Sequence, residues 1–175
     1  MEPPRDGVVG YRIAFSILVI LTIVYVVFVL AAHHKLPERI PVHFDLEGNA
    51  NRTADKAEFL IVNLALAVVL FLSFGVVAIL VDRIPARFIN LPNKDYWLVP
   101  ERRKESIMRF NAWYLWMGNL SVVFMLYVSC QVYRTGIGQA EKLQFGWLEL
   151  GLYFLFLTFL CLQLYRSFFR KRMES

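Results

Sequence analysis

Four long stretches of this chain carry no charge. Ile13 to Ala32, Phe59 to Val81, Ala112 to Tyr133 and Leu150 to Tyr165 contain no Asp, Glu, Lys or Arg. A bilayer core of about 30 Å needs roughly 20 apolar residues as helix. The first three runs meet that length. The fourth meets it if Trp147 and Leu148 join it and Glu149 sits at headgroup level. Composition agrees: 58% of residues are hydrophobic and 19% charged, against about 45–50% and 25% in soluble domains. Mean hydropathy is +0.49. The sequence therefore predicts an all-α, polytopic membrane protein of four transmembrane helices, forming a single membrane domain over 1–175. The first run has 20 residues, longer than the roughly 7–15 of a signal-peptide core. No small-residue cleavage site follows it, so it reads as a retained span.

Orientation follows from Lys and Arg in the short connections. The N-terminal end, the stretch 82–111 and the tail hold thirteen of them, and the connections 33–58 and 134–146 hold six. Both termini and 82–111 are thus expected in the cytoplasm, with 33–58 outside. The net charge of +5 is explained by this asymmetry, and no nucleic-acid partner is expected.

Residues 1–12 read as a short tail. The connection 82–111 has three prolines, yet also Phe88, Ile89, Leu91, Tyr96, Trp97 and Leu98. It is expected to lie along the inner membrane surface, with Tyr96, Trp97, Arg102 and Arg103 as interfacial residues against anionic lipid. Pro100 followed by Glu101 is a helix start, and that helix would run straight into the third span. The third connection carries Gly136 and Gly138, and the basic tail RSFFRKRMES is expected to anchor the chain. Cys130 and Cys161 fall roughly 15 Å apart in depth on antiparallel helices, too far for a disulfide.

The most specified segment is LPERIPVHFDLEGN, residues 36–49. Pro37 and Pro41 disfavour helix before them. Ile40 to Asp45 reads as an extended piece, Leu46 to Asn51 as a turn, and Thr53 or Asp55 as the cap of the second helix. The whole is an elbow between two spans. In a regular strand His43 and Asp45 share one face. His33, His34 and Glu47 lie nearby in sequence, but the spacing matches no metal signature. No metal or cofactor is expected. A structural hydrogen bond from His43 to backbone or to a carboxylate is the plainer reading.

No ionisable residue sits in mid-span, as transporters and pumps usually require. Asn63, Ser73, Asn119, Ser121, Ser129, Gln131, Thr158 and Gln163 are the polar groups there, and such groups commonly bond helix to helix. No nucleotide loop, HExxH, CxxC or GxSxG is present, so no catalytic residue and no enzyme is expected.

The elbow also resembles a family. Leu36, Pro37, Ile40, Pro41, Val42, His43, Phe44, Asp45, Gly48 and Lys56 follow the pattern of a bacterial membrane family of unknown function. That domain forms the N-terminal part of SdpI-type immunity proteins. The resemblance covers the first half of the chain. It implies a multi-pass protein of the bacterial cytoplasmic membrane with a binding or regulatory role, immunity against a secreted toxin being the family example. Pro37, Pro41, His43, Asp45, Gly48 and Lys56 are the binding candidates it points to. The partner would be an extracytoplasmic ligand or a membrane protein. Alternatives are an accessory structural subunit of a larger membrane complex, or a small transporter or metal-handling protein.

Overall fold

The computed structural model describes residues 5–45, 47–143 and 147–169, with side chains from residue 9 onward. The basic residues Arg170, Lys171 and Arg172 of the expected anchor lie outside that range. Four helical segments are long and apolar enough to cross a membrane: Val9–Lys35, Lys56–Arg83, Pro100–Gly136 and Trp147–Phe169. The four-span expectation holds. Helix α1 (Arg5–Lys35) begins well before Ile13, so residues 5–12 are helix rather than tail.

Helix α1 is the hub. Its buried residues Ala14, Leu18, Tyr25, Val29 and Ala32 recur at three-, four- and seven-residue spacings, which places them on one stripe. That stripe packs on the long helix α5 (Pro100–Gly136), whose Leu115, Val122 and Ser129 are buried in turn. Ile20, Ile23 and Val27 on the other side of α1 stay exposed, as lipid-facing residues do. Lipid tails are as apolar as leucine, so packing contacts and interhelical hydrogen bonds hold such a bundle.

The second span is not a uniform helix. Helix α2 (Lys56–Leu70) passes into a π-helical turn at Phe71–Val76, then α3 (Val77–Leu80) and a 3-10 turn at Val81–Arg83. The carbonyl of Ser73 in the π turn accepts from Tyr114 Oη at 2.9 Å. Phe74 packs directly over Gly118 of α5.

Some of the polar residues of the spans join helices. Tyr25 Oη donates to Asn63 Oδ1 at 2.7 Å, and Ser129 Oγ donates to the same oxygen, so one buried node ties α1, α2 and α5. Asn119 Nδ2 donates to the Ala14 carbonyl at 3.1 Å, and Asn111 Nδ2 to that of Ala78 at 2.7 Å. The last helix, α6 (Trp147–Phe169), meets α5 through the stacked rings of Phe124 and Tyr153, 4.2 Å apart. Cys130 and Cys161 are both free.

Two caps close the bundle. The elbow is a β-hairpin, β1 (Arg39–Phe44) antiparallel to β2 (Ala50–Asp55). The sequence suggested the first strand only. At the other end, residues 84–99, with the short helix α4 (Lys94–Trp97), fold over the helix termini around a second apolar cluster of Ile89, Leu91, Trp97, Leu98 and Phe168. Helix α5 starts at Pro100, the proline that signalled it.

Candidate functional site

The hairpin cap is built from its turn outward. Asp45 Oδ1 accepts from the backbone N–H groups of Asn49 at 2.7 Å and Glu47 at 3.1 Å, and Oδ2 accepts from Asn49 Nδ2 at 3.1 Å. These bonds, led by the Asn49 amide, hold the Asp45 carboxyl below its ordinary range, with a further contribution from the positive Lys142. Asp45 is therefore the organiser of the turn. Gly48 follows with φ +80°, a conformation that favours glycine. A Cβ there would stand 2.5 Å from the Leu143 carbonyl oxygen. The Leu143 N–H donates to the Gly48 carbonyl at 2.9 Å. The hairpin tip is thus docked on the connection between α5 and α6.

The base of the hairpin is fixed as firmly. Lys56 Nζ lies 2.7 Å from Glu38 Oε1, and Lys56 N–H donates to the Glu38 carbonyl at 2.9 Å. The salt bridge and hydrogen bond from Lys56 pull the Glu38 carboxyl below its usual range. Pro37 marks the exit from α1, and Leu36 and Ile40 bury against Gly136 at the end of α5. Asp55 occupies the N-cap position of α2 without a side-chain bond, while Thr53 is a strand residue and caps nothing.

His43 and Asp45 do not form a pair. The ladder shifts register twice, between Pro41 and His43 and between His43 and Phe44, so Asn51 bulges out of β2. His43 Nδ1 lies 2.6 Å from Asn51 Oδ1. The sequence leads one to expect a structural hydrogen bond to backbone or to a carboxylate; the partner here is a side-chain amide instead. Among the described residues no cluster of His, Cys, Asp and Glu could hold a metal ion. Exposed on the cap are His43, Asn51, Arg52 and Thr53, with Arg52 paired to Glu58 at the start of α2. Sequence reasoning did not take Asn51 and Arg52 as site residues, because only the strand pairing brings them beside His43.

Beneath the hairpin, between α2 and α5, lies a cleft of about 170 Å³. Val42 and Glu58 stand at its rim, and the Asn63–Ser129 node forms its polar floor.

The four interfacial residues divide in two. Trp97 is buried rather than spread on the surface, and its Nε1 donates to the Phe168 carbonyl at 2.7 Å. Arg103 donates to the carbonyls of Asp82 and Ile84 at 2.9 and 2.6 Å. These two hold the cap together. Arg102 stacks on the Tyr96 ring, 4.0 Å from its centroid, and is exposed.

Comparison with known proteins reaches the hairpin side of the molecule. Residues 18–67 match the model of a family described as "Domain of unknown function (DUF1648)". The match takes in the C-terminal half of α1, the hairpin and most of α2, and so includes every motif residue from Leu36 to Lys56. No curated protein and no solved structure matched the chain. What the fold and the match define is a membrane-type, four-span helical protein carrying a domain of unknown function.

Proposed function

We propose that this chain is a non-enzymatic binding or regulatory protein of the bacterial cytoplasmic membrane, akin in role to SdpI-type immunity proteins. In this reading both termini and the 84–99 cap are cytoplasmic, as the Lys and Arg distribution favours. The hairpin faces outward and engages an extracytoplasmic ligand or membrane protein. Arg102 and Tyr96 meet anionic lipid on the inner side. One observation carries the reading: the hairpin is fixed at tip and base by side-chain and backbone bonds, while His43, Asn51, Arg52 and Thr53 remain exposed on it. A rigid scaffold presenting polar side chains suits recognition.

A photoreactive residue at Thr53, illuminated in living cells, tests this. The expected result is a discrete protein or peptide adduct that disappears when Arg52→Glu is added. An adduct to one membrane protein that is insensitive to Arg52 would favour the accessory-subunit role instead. Labelling of lipid alone would refute both.

A further inference from the structure

Where the 84–99 cap meets the last helix, a groove with a cavity volume of about 550 Å³ opens between the cap, α5 and α6. Its lining is of two kinds. Asn90 and Asn93 of the cap and Tyr165 of α6 give it polar groups. Phe110 of α5 and Cys161 and Leu164 of α6 give it an apolar wall. Helix α6 has 23 residues, about 34 Å of helix against a hydrocarbon core of about 30 Å. Its last described residue, Phe169, therefore stands at headgroup level, and Cys161 about 12 Å deeper. The groove runs from the membrane boundary, where the cap closes it, into the hydrocarbon.

The polar groups are held in place and still have bonds to give. Asn93 Nδ2 donates one N–H to the Phe168 carbonyl at 3.3 Å, which leaves the second. The Tyr165 ring stacks on Phe169, 5.4 Å between centroids. Its hydroxyl, like the Asn90 amide, makes no hydrogen bond among the described residues. These donors lie at the depth of lipid phosphate and ester oxygens, which only accept. A neighbouring membrane helix would cover the amides with apolar side chains and strip them of water, at a cost. A phospholipid sets its chain and its head each against its like. Charge gives the sign of the head. Within two residues of the lining, the sequence has Lys94, Arg166, Arg170 and Lys171, besides Arg109 paired to Glu105, against Asp95 alone. Such an excess attracts anions.

We infer that this groove holds one anionic phospholipid of the adjoining leaflet. Its phosphate and ester oxygens accept from Asn90, Asn93 and Tyr165, and one acyl chain lies along Leu164 and Cys161 against Phe110. The site is independent of which side of the membrane the cap faces.

The test uses the full-length protein with Cys130→Ala in neutral maltoside micelles, given phosphatidylglycerol or phosphatidylethanolamine of identical chains. Native mass spectrometry counts the lipids retained. Alkylation of Cys161, which is exposed, reports whether the groove is filled. One phosphatidylglycerol per chain should be retained in preference to phosphatidylethanolamine. At about ten times its Kd it should slow Cys161 alkylation by about tenfold. Asn90→Asp, isosteric and at an exposed position, sets a like charge beside the headgroup and should abolish the preference. Tyr165→Phe should weaken retention by about two- to tenfold, the loss of one hydrogen bond. Equal retention of the two lipids would mean ordinary boundary lipid and would overturn the inference. A retained phosphatidylglycerol that leaves Cys161 as reactive as before, or that is unaffected by Asn90→Asp, would overturn it by placing the lipid elsewhere.

Discussion

Gly48→Ala isolates what the docking of the hairpin tip contributes. Three effects act together at this residue. A non-glycine residue at φ +80° costs about 1–2 kcal/mol. The new Cβ would fall 2.5 Å from the Leu143 carbonyl oxygen, a backbone atom that cannot swing aside, so the α5–α6 connection must move. That movement breaks the Leu143 N–H to Gly48 carbonyl bond, worth roughly 0.5–1.5 kcal/mol net. The sum is about 2–4 kcal/mol. Gly138→Ala is the control: its φ is +75° but nothing lies within 4 Å of its Cβ. It should cost only the backbone part, about 1–2 kcal/mol. Hydrogen exchange at the Leu143 amide in detergent reads the difference locally. Protection there should fall by about tenfold or more in Gly48→Ala, since 1.4 kcal/mol is a factor of ten, and change little in Gly138→Ala. Equal protection in the two variants would show that the tip is not docked on Leu143, and the rigid-cap argument would fail.

Asn63→Ala should remove the shared acceptor of Tyr25 and Ser129 and destabilise the bundle by about 1–2 kcal/mol, read as earlier unfolding in a dodecyl sulfate titration. Gly118→Ala puts a Cβ 2.6 Å from Phe74 Cγ; overpacking of about 1–3 kcal/mol should outweigh the helix-propensity gain, and Phe74→Ala in the same chain should relieve it. The turn should also respond to acid. The Asp45 carboxyl is held below its ordinary range by Asn49, Glu47 and Lys142, so its ionised form is favoured in the folded turn. That stabilisation is fully present above the unfolded value, about 4, and is lost as pH falls through the lower folded value. Amide exchange at Glu47 and Asn49 should therefore be steady from neutral pH down to about 5, after correction for intrinsic rates, and should rise below about 4. A loosening already complete at pH 5 would contradict the assignment.

The spans were legible because each uncharged run is local and long. So was the start of α5, where Pro100 and Glu101 signal it within two residues. The elbow was legible only in part. Its second strand, ANRTAD, contains Ala, Asn and Asp, which strands avoid; pairing with β1 makes it a strand. Strand β1 also ends at Phe44, so Asp45 belongs to the turn and bonds there while His43 meets Asn51. Trp97 looked like a surface anchor because aromatic residues crowd membrane boundaries. Its burial depends on the Phe168 carbonyl, 71 residues further on, which no local pattern encodes. Gly48 and Leu143 meet across an even longer separation. The polar groups Asn63, Asn119 and Ser129 announced themselves by standing in apolar runs, though not which of them would share a node.

In the proposed reading the hairpin is an outward-facing cap on a four-span protein whose other cap faces the cytoplasm. Cysteine labelling by a membrane-impermeant maleimide in intact cells tests it most directly, in a chain with Cys130→Ala and Cys161→Ala. Thr53→Cys on the hairpin should label at once, and Arg87→Cys in the 84–99 cap only after the membrane is permeabilised. The reverse pattern would invert the protein in the membrane and place the hairpin where no extracytoplasmic ligand can reach it; labelling of both in intact cells would contradict the four-span topology itself.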